Sequence, residues 1–223
     1  AGNAMTDAPL ALLTPMANPT IEREMRRLVP DCCDYVVGRL VSRLDDSRER
    51  LISYAEDLGQ SLAQFGGLPL SAIAFACTAS SYLIGLERED SLAKQVGMPV
   101  LWAAATIREE LSRRGARRLA VVSPYPDAIH QAGLAYWSSA GFVTIFDERV
   151  EIGSDDTRSI YALAGSEAQA AVIRAREAAP DAILLSGTGM PTLALLDPQG
   201  MPPIISSNHC LAQAMMRNQG INL

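Results

Sequence analysis

Ala72-Ile73-Ala74-Phe75-Ala76-Cys77-Thr78-Ala79-Ser80-Ser81 is the stretch from which the fold is read. A short apolar run ends abruptly in a thiol followed by small and hydroxylated residues. The pattern predicts a buried strand that delivers Cys77 to a loop at its carboxyl end, with a helix starting near Ser80. In open α/β sheets ligands bind at that end of the strands. A thiol beside the first amides of a helix is expected to have a depressed pKa, because a helix N-terminus favours negative charge. The alternative is a small buried cysteine capping a core strand.

Outward from this stretch, strands and helices alternate. Leu10 to Leu13 reads as a first strand, ended by the turn Thr14-Pro15-Met16-Ala17-Asn18-Pro19. Asn18 or Thr20 is placed to cap a helix bearing Ile21, Met25 and Leu28 at helical spacing. Tyr35 to Val41 reads as a strand, and Ser47 to Phe65 as one helix ended by Gly66-Gly67. Later strands are predicted at 98–101, 119–122, 142–146, 182–185 and 203–205, with helices at 107–114, 127–140 and 167–179 and after Asn208. Such alternation implies parallel sheets with right-handed crossovers. The two halves also look alike. Each has a strand ending in Thr-Pro or Ser-Pro (Thr14-Pro15, Ser123-Pro124), then an apolar strand ending in a small-residue turn (Cys77-Thr78, Gly187-Thr188). The expected fold class is α/β, with two pseudo-symmetric lobes, each a mainly parallel sheet flanked by helices, and the active site between them. The expected boundaries are 5–105 plus 203–223 for the first lobe and 106–202 for the second.

The 223 residues carry a net charge of −6, which argues against an electrostatic nucleic-acid binder. The arginine pairs and the acidic pairs Asp45-Asp46 and Asp155-Asp156 read as solvated. The four cysteines (Cys32, Cys33, Cys77, Cys210) form no Cys-x-x-Cys pair, and His130 and His209 are far apart, so no metal site is expected. No apolar run reaches the roughly 18 residues of a membrane span and no signal peptide is visible, so no membrane partner and a cytoplasmic location are expected. Ala1-Gly2-Asn3-Ala4 before Met5 reads as an expression remnant.

Four loops are thus chemically marked: those around Asn18, Cys77-Thr78, Tyr125, and Ser186 to Gly189. Small residues at strand ends leave backbone N–H groups free to hold a carboxylate or an oxyanion. Ser186-Gly187-Thr188-Gly189 lacks the lysine of a phosphate loop and the glycine spacing of a dinucleotide site.

In order and spacing these pieces resemble the aspartate/glutamate racemase superfamily, in its maleate cis-trans isomerase and arylmalonate decarboxylase branch. The resemblance is carried by Thr14-Pro15-x-x-Asn18 with Glu22 or Glu24 behind it, Ala76-Cys77-Thr78, the run from Gly115 to Tyr125, Ala182 to Ser186, and Pro203-Ile204-Ile205-Ser206-Ser207-Asn208. It implies a cofactor-independent enzyme with Cys77 as catalytic thiol. Asn18, Thr78 and Tyr125 would hold substrate carboxylates, with Pro15, Ser186, Gly187, Thr188, Gly189 and Asn208 around them. The implied partner is a small carboxylate or dicarboxylate, and the implied assembly a homodimer or larger. The family's second cysteine falls at Gly187, so two-thiol racemisation is not expected. Single-thiol reactions remain: cis-trans isomerisation of a maleate-like diacid, which is the leading expectation, or decarboxylation of a substituted malonate with Cys77 as proton donor. A non-catalytic carboxylate-binding protein is the third expectation.

Overall fold

The computed structural model describes residues 8–221. The segment read as an expression remnant lies outside those residues. The first sheet is built from β1 (Leu10–Pro15), followed by α1 (Thr20–Leu28), β2 (Tyr35–Leu40), α2 (Ser47–Glu56) and α3 (Leu58–Leu62), then β3 (Ala72–Phe75), α4 (Thr78–Ile84), α5 (Leu86–Val96), β4 (Val100–Trp102) and α6 (Ala103–Arg113). The second sheet follows as β5 (Arg118–Ser123), α7 (Asp127–Ser139), β6 (Val143–Arg149), α8 (Glu167–Glu177), β7 (Ala182–Leu185), β8 (Ile204–Ser206) and α9 (Ser207–Asn218). Strand order is β2-β1-β3-β4 in one sheet and β6-β5-β7-β8 in the other, and every pairing is parallel. The same order twice makes β1 equivalent to β5 and β3 to β7. The expected α/β fold of two pseudo-symmetric lobes is therefore present.

The central strands β1, β3 and β7 are fully buried along their length, as apolar strands covered by helices on both faces must be. The lobes meet along α4 and α7 and along α6 and α9. At the first seam Tyr82 lies edge-on to Trp137, with ring centroids 5.8 Å apart. Gly133 permits this approach, since a Cβ there would stand 2.9 Å from the Tyr82 ring.

Three expectations change. The helix read over 47–65 breaks at Asp57: α2 ends at Glu56, and α3 leads into a 3₁₀ turn, Ala63–Phe65. Asp57 stands at φ −93° and ψ 24°, off the helical ψ, and this turns the chain between two helices that share one apolar stripe. The boundary expected at 105/106 falls inside α6, which runs unbroken from Ala103. The tail 203–223 was expected wholly in the first lobe. Instead β8 pairs with β7 in the second sheet, while α9 packs against α1, α6 and β4 of the first. The acidic pairs also do more than face solvent. Asp46 caps α2 by accepting from Glu49 N at 2.8 Å. Asp156 holds Arg50 at 2.9 Å and pairs with Arg158.

Candidate active site

β3 ends at Phe75, and two residues on, Cys77 stands at the head of α4. The equivalent place after β7 is Gly187. The strand-end loops do meet, as expected, but the meeting point is sealed: Cys77 is 4% exposed, Tyr125 6%, and Thr78 fully buried. The Cys77 sulfur accepts a hydrogen bond from Ser80 Oγ at 3.3 Å, and the backbone N–H groups of Ala79 and Ser80 point at it. These three contacts favour the thiolate, as the sequence predicts, but burial outweighs them and the pKa is raised rather than depressed. The head of α4 does favour the thiolate, and desolvation of the sulfur is the larger effect.

Thr78 Oγ1 and Tyr125 Oη are 2.7 Å apart and share a hydrogen bond across the two lobes. Burial and the nearby Cys77 push the Tyr125 hydroxyl well above its ordinary pKa, so it stays a neutral donor. Tyr54 and Tyr161 also lie close enough to feel Cys77, and both are raised chiefly by burial, Tyr54 to about 12. The thiol is therefore ringed by phenols and hydroxyls.

The 186–189 loop is held rather than free. Ser186 Oγ pairs with Tyr82 Oη at 2.6 Å, and Gly187 N donates to Ser207 Oγ at 3.0 Å. The expectation of an open Gly187 amide is thus corrected: a serine hydroxyl at the start of α9 occupies it. Thr188 N and Gly189 N have no protein acceptor among the described residues. Thr188 Oγ1 donates to Ala76 O at 2.8 Å, binding this loop to the Cys77 strand. Gly189 accommodates the Tyr161 ring, which would lie 2.8 Å from an added Cβ.

Asn18 caps the helix as expected and also bonds across to the 186–189 loop. Its Oδ1 accepts from Thr20 N at 2.9 Å, capping α1, while its Nδ2 donates to Thr188 Oγ1 at 3.2 Å. Pro15 closes β1 and its carbonyl accepts from Asn18 N. Asn208 is buried and donates from Nδ2 to Thr188 O at 3.1 Å. The structure brings the predicted site residues into one linked set. His209 faces Glu110 of α6 and Arg114 just beyond that helix, and burial lowers its pKa. Cys33 and Cys210 are buried with pKa values pushed up to about 11 and about 12, and Cys32 is exposed.

The sequence marks Glu24 only as one of two acids behind the Asn18 motif, with no role assigned, and does not single out Ser123 or His130 as site residues. Ser123 Oγ lies 2.7 Å from His130 Nδ1, and His130 Nε2 lies 2.9 Å from Asp147 Oδ2. This Ser-His-Asp chain fixes the turn that carries Tyr125. Ser123 is 1% exposed and so is not presented to a substrate. The one available signal, His130 seven residues after a strand-end serine, is too common to interpret alone.

Fold and site together define a two-lobed α/β protein with a single thiol between pseudo-symmetric strand-end loops. The arylmalonate decarboxylase family model matches residues 10–222, and the chain belongs to that family. No curated protein matches it in sequence. Among solved structures, the maleate isomerase Iso from Pseudomonas putida superposes with a TM-score of 0.82 at 18% identity, over 96% of this chain and 93% of that one. The Nocardia farcinica maleate cis-trans isomerase, solved as a cysteine-to-serine mutant with a covalently bound succinylcysteine intermediate, gives 0.81 at 20%, over 96% and 93%. An arylmalonate decarboxylase gives 0.73 at 21%, over 95% and 92%. No helix among the described residues is long and apolar enough to cross a membrane.

Proposed function

We propose that this chain is a cofactor-independent decarboxylase of a small substituted malonate, with Cys77 as proton donor. The observation that carries this reading is the state of the thiol. Burial raises its pKa, so the resting group is S–H, and a dianionic substrate beside it would raise the pKa further. A neutral thiol is an acid in waiting rather than a nucleophile.

In this reading one carboxylate is held by Tyr125, Thr78 and the N–H groups of Thr188 and Gly189. The other faces the buried, uncharged surround of Cys77, where loss of CO₂ relieves an unsolvated charge. The electron pair of the breaking C–C bond passes into the retained carboxylate, giving an enediolate that the same donors stabilise. The Cys77 proton then goes to the α-carbon, and the thiolate left behind takes a proton from water. With Gly187 opposite, protonation comes from one face only. The assembly expected from the family, a homodimer or larger, and a cytoplasmic location accompany this reading.

A second reading is favoured by the Thr14-Pro15-x-x-Asn18 segment and by the succinylcysteine adduct of the Nocardia relative. Here Cys77 as thiolate adds to the double bond of a maleate-like diacid, the new single bond rotates, and elimination gives the trans isomer. Incubating the protein with phenylmalonate and with maleate, following CO₂ and fumarate separately, distinguishes the two. The decarboxylase reading expects CO₂ from phenylmalonate, one solvent deuterium at the product α-carbon in D₂O, and no turnover by Cys77→Ala. Fumarate without CO₂ selects the isomerase. Measurable binding of both acids with neither product leaves a carboxylate-binding protein.

A further inference from the structure

Glu24 is a buried carboxylate with no cationic partner among the described residues. It is 5% exposed and lies on the buried face of α1, four residues after Thr20. Such a charge is costly unless hydrogen-bond donors replace its water. Four converge on it. Thr192 N donates to Oε1 at 2.7 Å, Leu193 N to Oε1 at 3.3 Å, Asn208 Nδ2 to Oε2 at 2.7 Å, and Thr192 Oγ1 to Oε2 at a longer 3.5 Å. All four come from the segment after β7 or from α9, while Glu24 belongs to the helix after β1. The same helix face holds Gly189 O through Thr20 Oγ1 at 2.8 Å.

Asn208 is the link to the chemistry. Its Nδ2 hydrogens go to Glu24 and to Thr188 O, while its Oδ1 is buried without a protein partner. Its orientation is therefore set by those two acceptors alone. Thr188 O belongs to the peptide whose N–H is supplied by Gly189. Fixing that carbonyl fixes the direction of the Gly189 amide, one of the two donors without a protein acceptor.

The geometry points to Glu24 as a positioning residue that aims the Thr188–Gly189 amides at the substrate carboxylate through Asn208. The inference rests on the carboxylate-binding reading of the 186–189 loop given above. Glutamine cannot replace the glutamate. With its NH₂ at the Oε2 place it meets Asn208 Nδ2, donor against donor. With its NH₂ at the Oε1 place it meets the Thr192 and Leu193 N–H groups. Turning Asn208 over to answer the first case sets its oxygen against Thr188 O.

Two variants and two readouts test this. Amide exchange is measured without substrate on Glu24→Gln and on Asn208→Ala, and KM and kcat are measured on whichever acid the wild type turns over. Glu24→Gln is expected to speed exchange across both 186–190 and 192–193. Asn208→Ala is expected to speed it at 186–190 and leave 192–193 protected, because it cuts only the arm toward Thr188. KM is expected to rise about tenfold or more in both, since small displacements of positioning donors carry costs of that order. Exchange confined to 192–193 in Glu24→Gln and unchanged in Asn208→Ala overturns the inference, as does a lowered melting temperature with KM intact. Should Glu24→Gln fail to fold, Asn208→Ala decides alone. Should the wild type turn over neither acid, the proposed function fails, and the exchange pattern still decides whether Glu24 orders this loop.

Discussion

Cys77 and Gly187 occupy equivalent places after β3 and β7, yet only one of those places accommodates a side chain. Gly187 has a φ of +121°, outside the range L residues readily adopt, and a Cβ there would stand 3.2 Å from Pro124 Cδ and 3.4 Å from Tyr125 Oη. The missing second thiol is thus built into the backbone. Gly187→Cys is expected to lose roughly 1–3 kcal/mol of stability and to displace Tyr125; denaturant unfolding measures the first, and lowered turnover the second, with no gain of racemisation. At Cys77, Ser80→Ala removes a donor that favours the thiolate, so the already raised pKa moves further up. The pH midpoint for alkylation of Cys77 is expected above the ~8.5 of a free thiol in the native protein, and higher again in Ser80→Ala. A midpoint below that of a free thiol removes the basis for proton donation. That Cys77 would sit at a strand end was legible, because apolar runs ending in small polar residues have one common outcome in α/β proteins. The direction of its pKa was not, because desolvation depends on what covers the thiol, and Tyr125 and Tyr161 arrive from the other lobe.

Among the elements, those with strong periodicity and clear ends were readable: β3, β5, β7 and the helices closed by Gly115 and Gly141, both at positive φ. The break at Asp57 was not, since Leu51, Tyr54, Leu58 and Leu62 keep helical spacing straight through it. Asn18 could be read as a cap, but its bond to Thr188, 170 positions away, could not. The Ser123-His130-Asp147 chain belongs to the same class, tying β5, α7 and β6 at the turn that presents Tyr125. His130→Ala leaves the buried Ser123 hydroxyl unpaired and opens a cavity, so a loss of about 2–4 kcal/mol is expected in equilibrium unfolding. His130→Asn, which retains a polar group near Ser123, is expected to recover part of it. Equal stability of His130→Ala and the wild type would mean that the chain carries no weight.

For the whole molecule, the seal over the thiol consists of segments from both lobes, fastened where Arg50 of α2 meets Asp156. Arg50, 2% exposed, also donates to the carbonyls of Leu44 and Asp45. Arg158 holds Asp156 at a pKa of about 2, below the unfolded value near 3.9. Its contribution to stability is therefore complete above pH ~4 and is lost as pH falls toward about 2. Amide exchange in 154–163 is expected to quicken over that window, ahead of exchange in β3 and β7. At the alkaline end the buried thiols act in the opposite sense. Cys33, Cys77 and Cys210 ionise more readily in the unfolded chain than in the folded one, so stability is expected to decline as pH rises past ~8.5. Thermal melts across pH 7 to 11 measure it, and Cys33→Ala and Cys210→Ala should each flatten the slope. One further outcome follows from the overall charge of −6. A doubly negative acid approaching such a molecule is repelled from afar, and dissolved ions shield that repulsion. Turnover at low substrate concentration should accordingly quicken as sodium chloride is added, the reverse of the behaviour of an enzyme that lures its anion with a positive funnel.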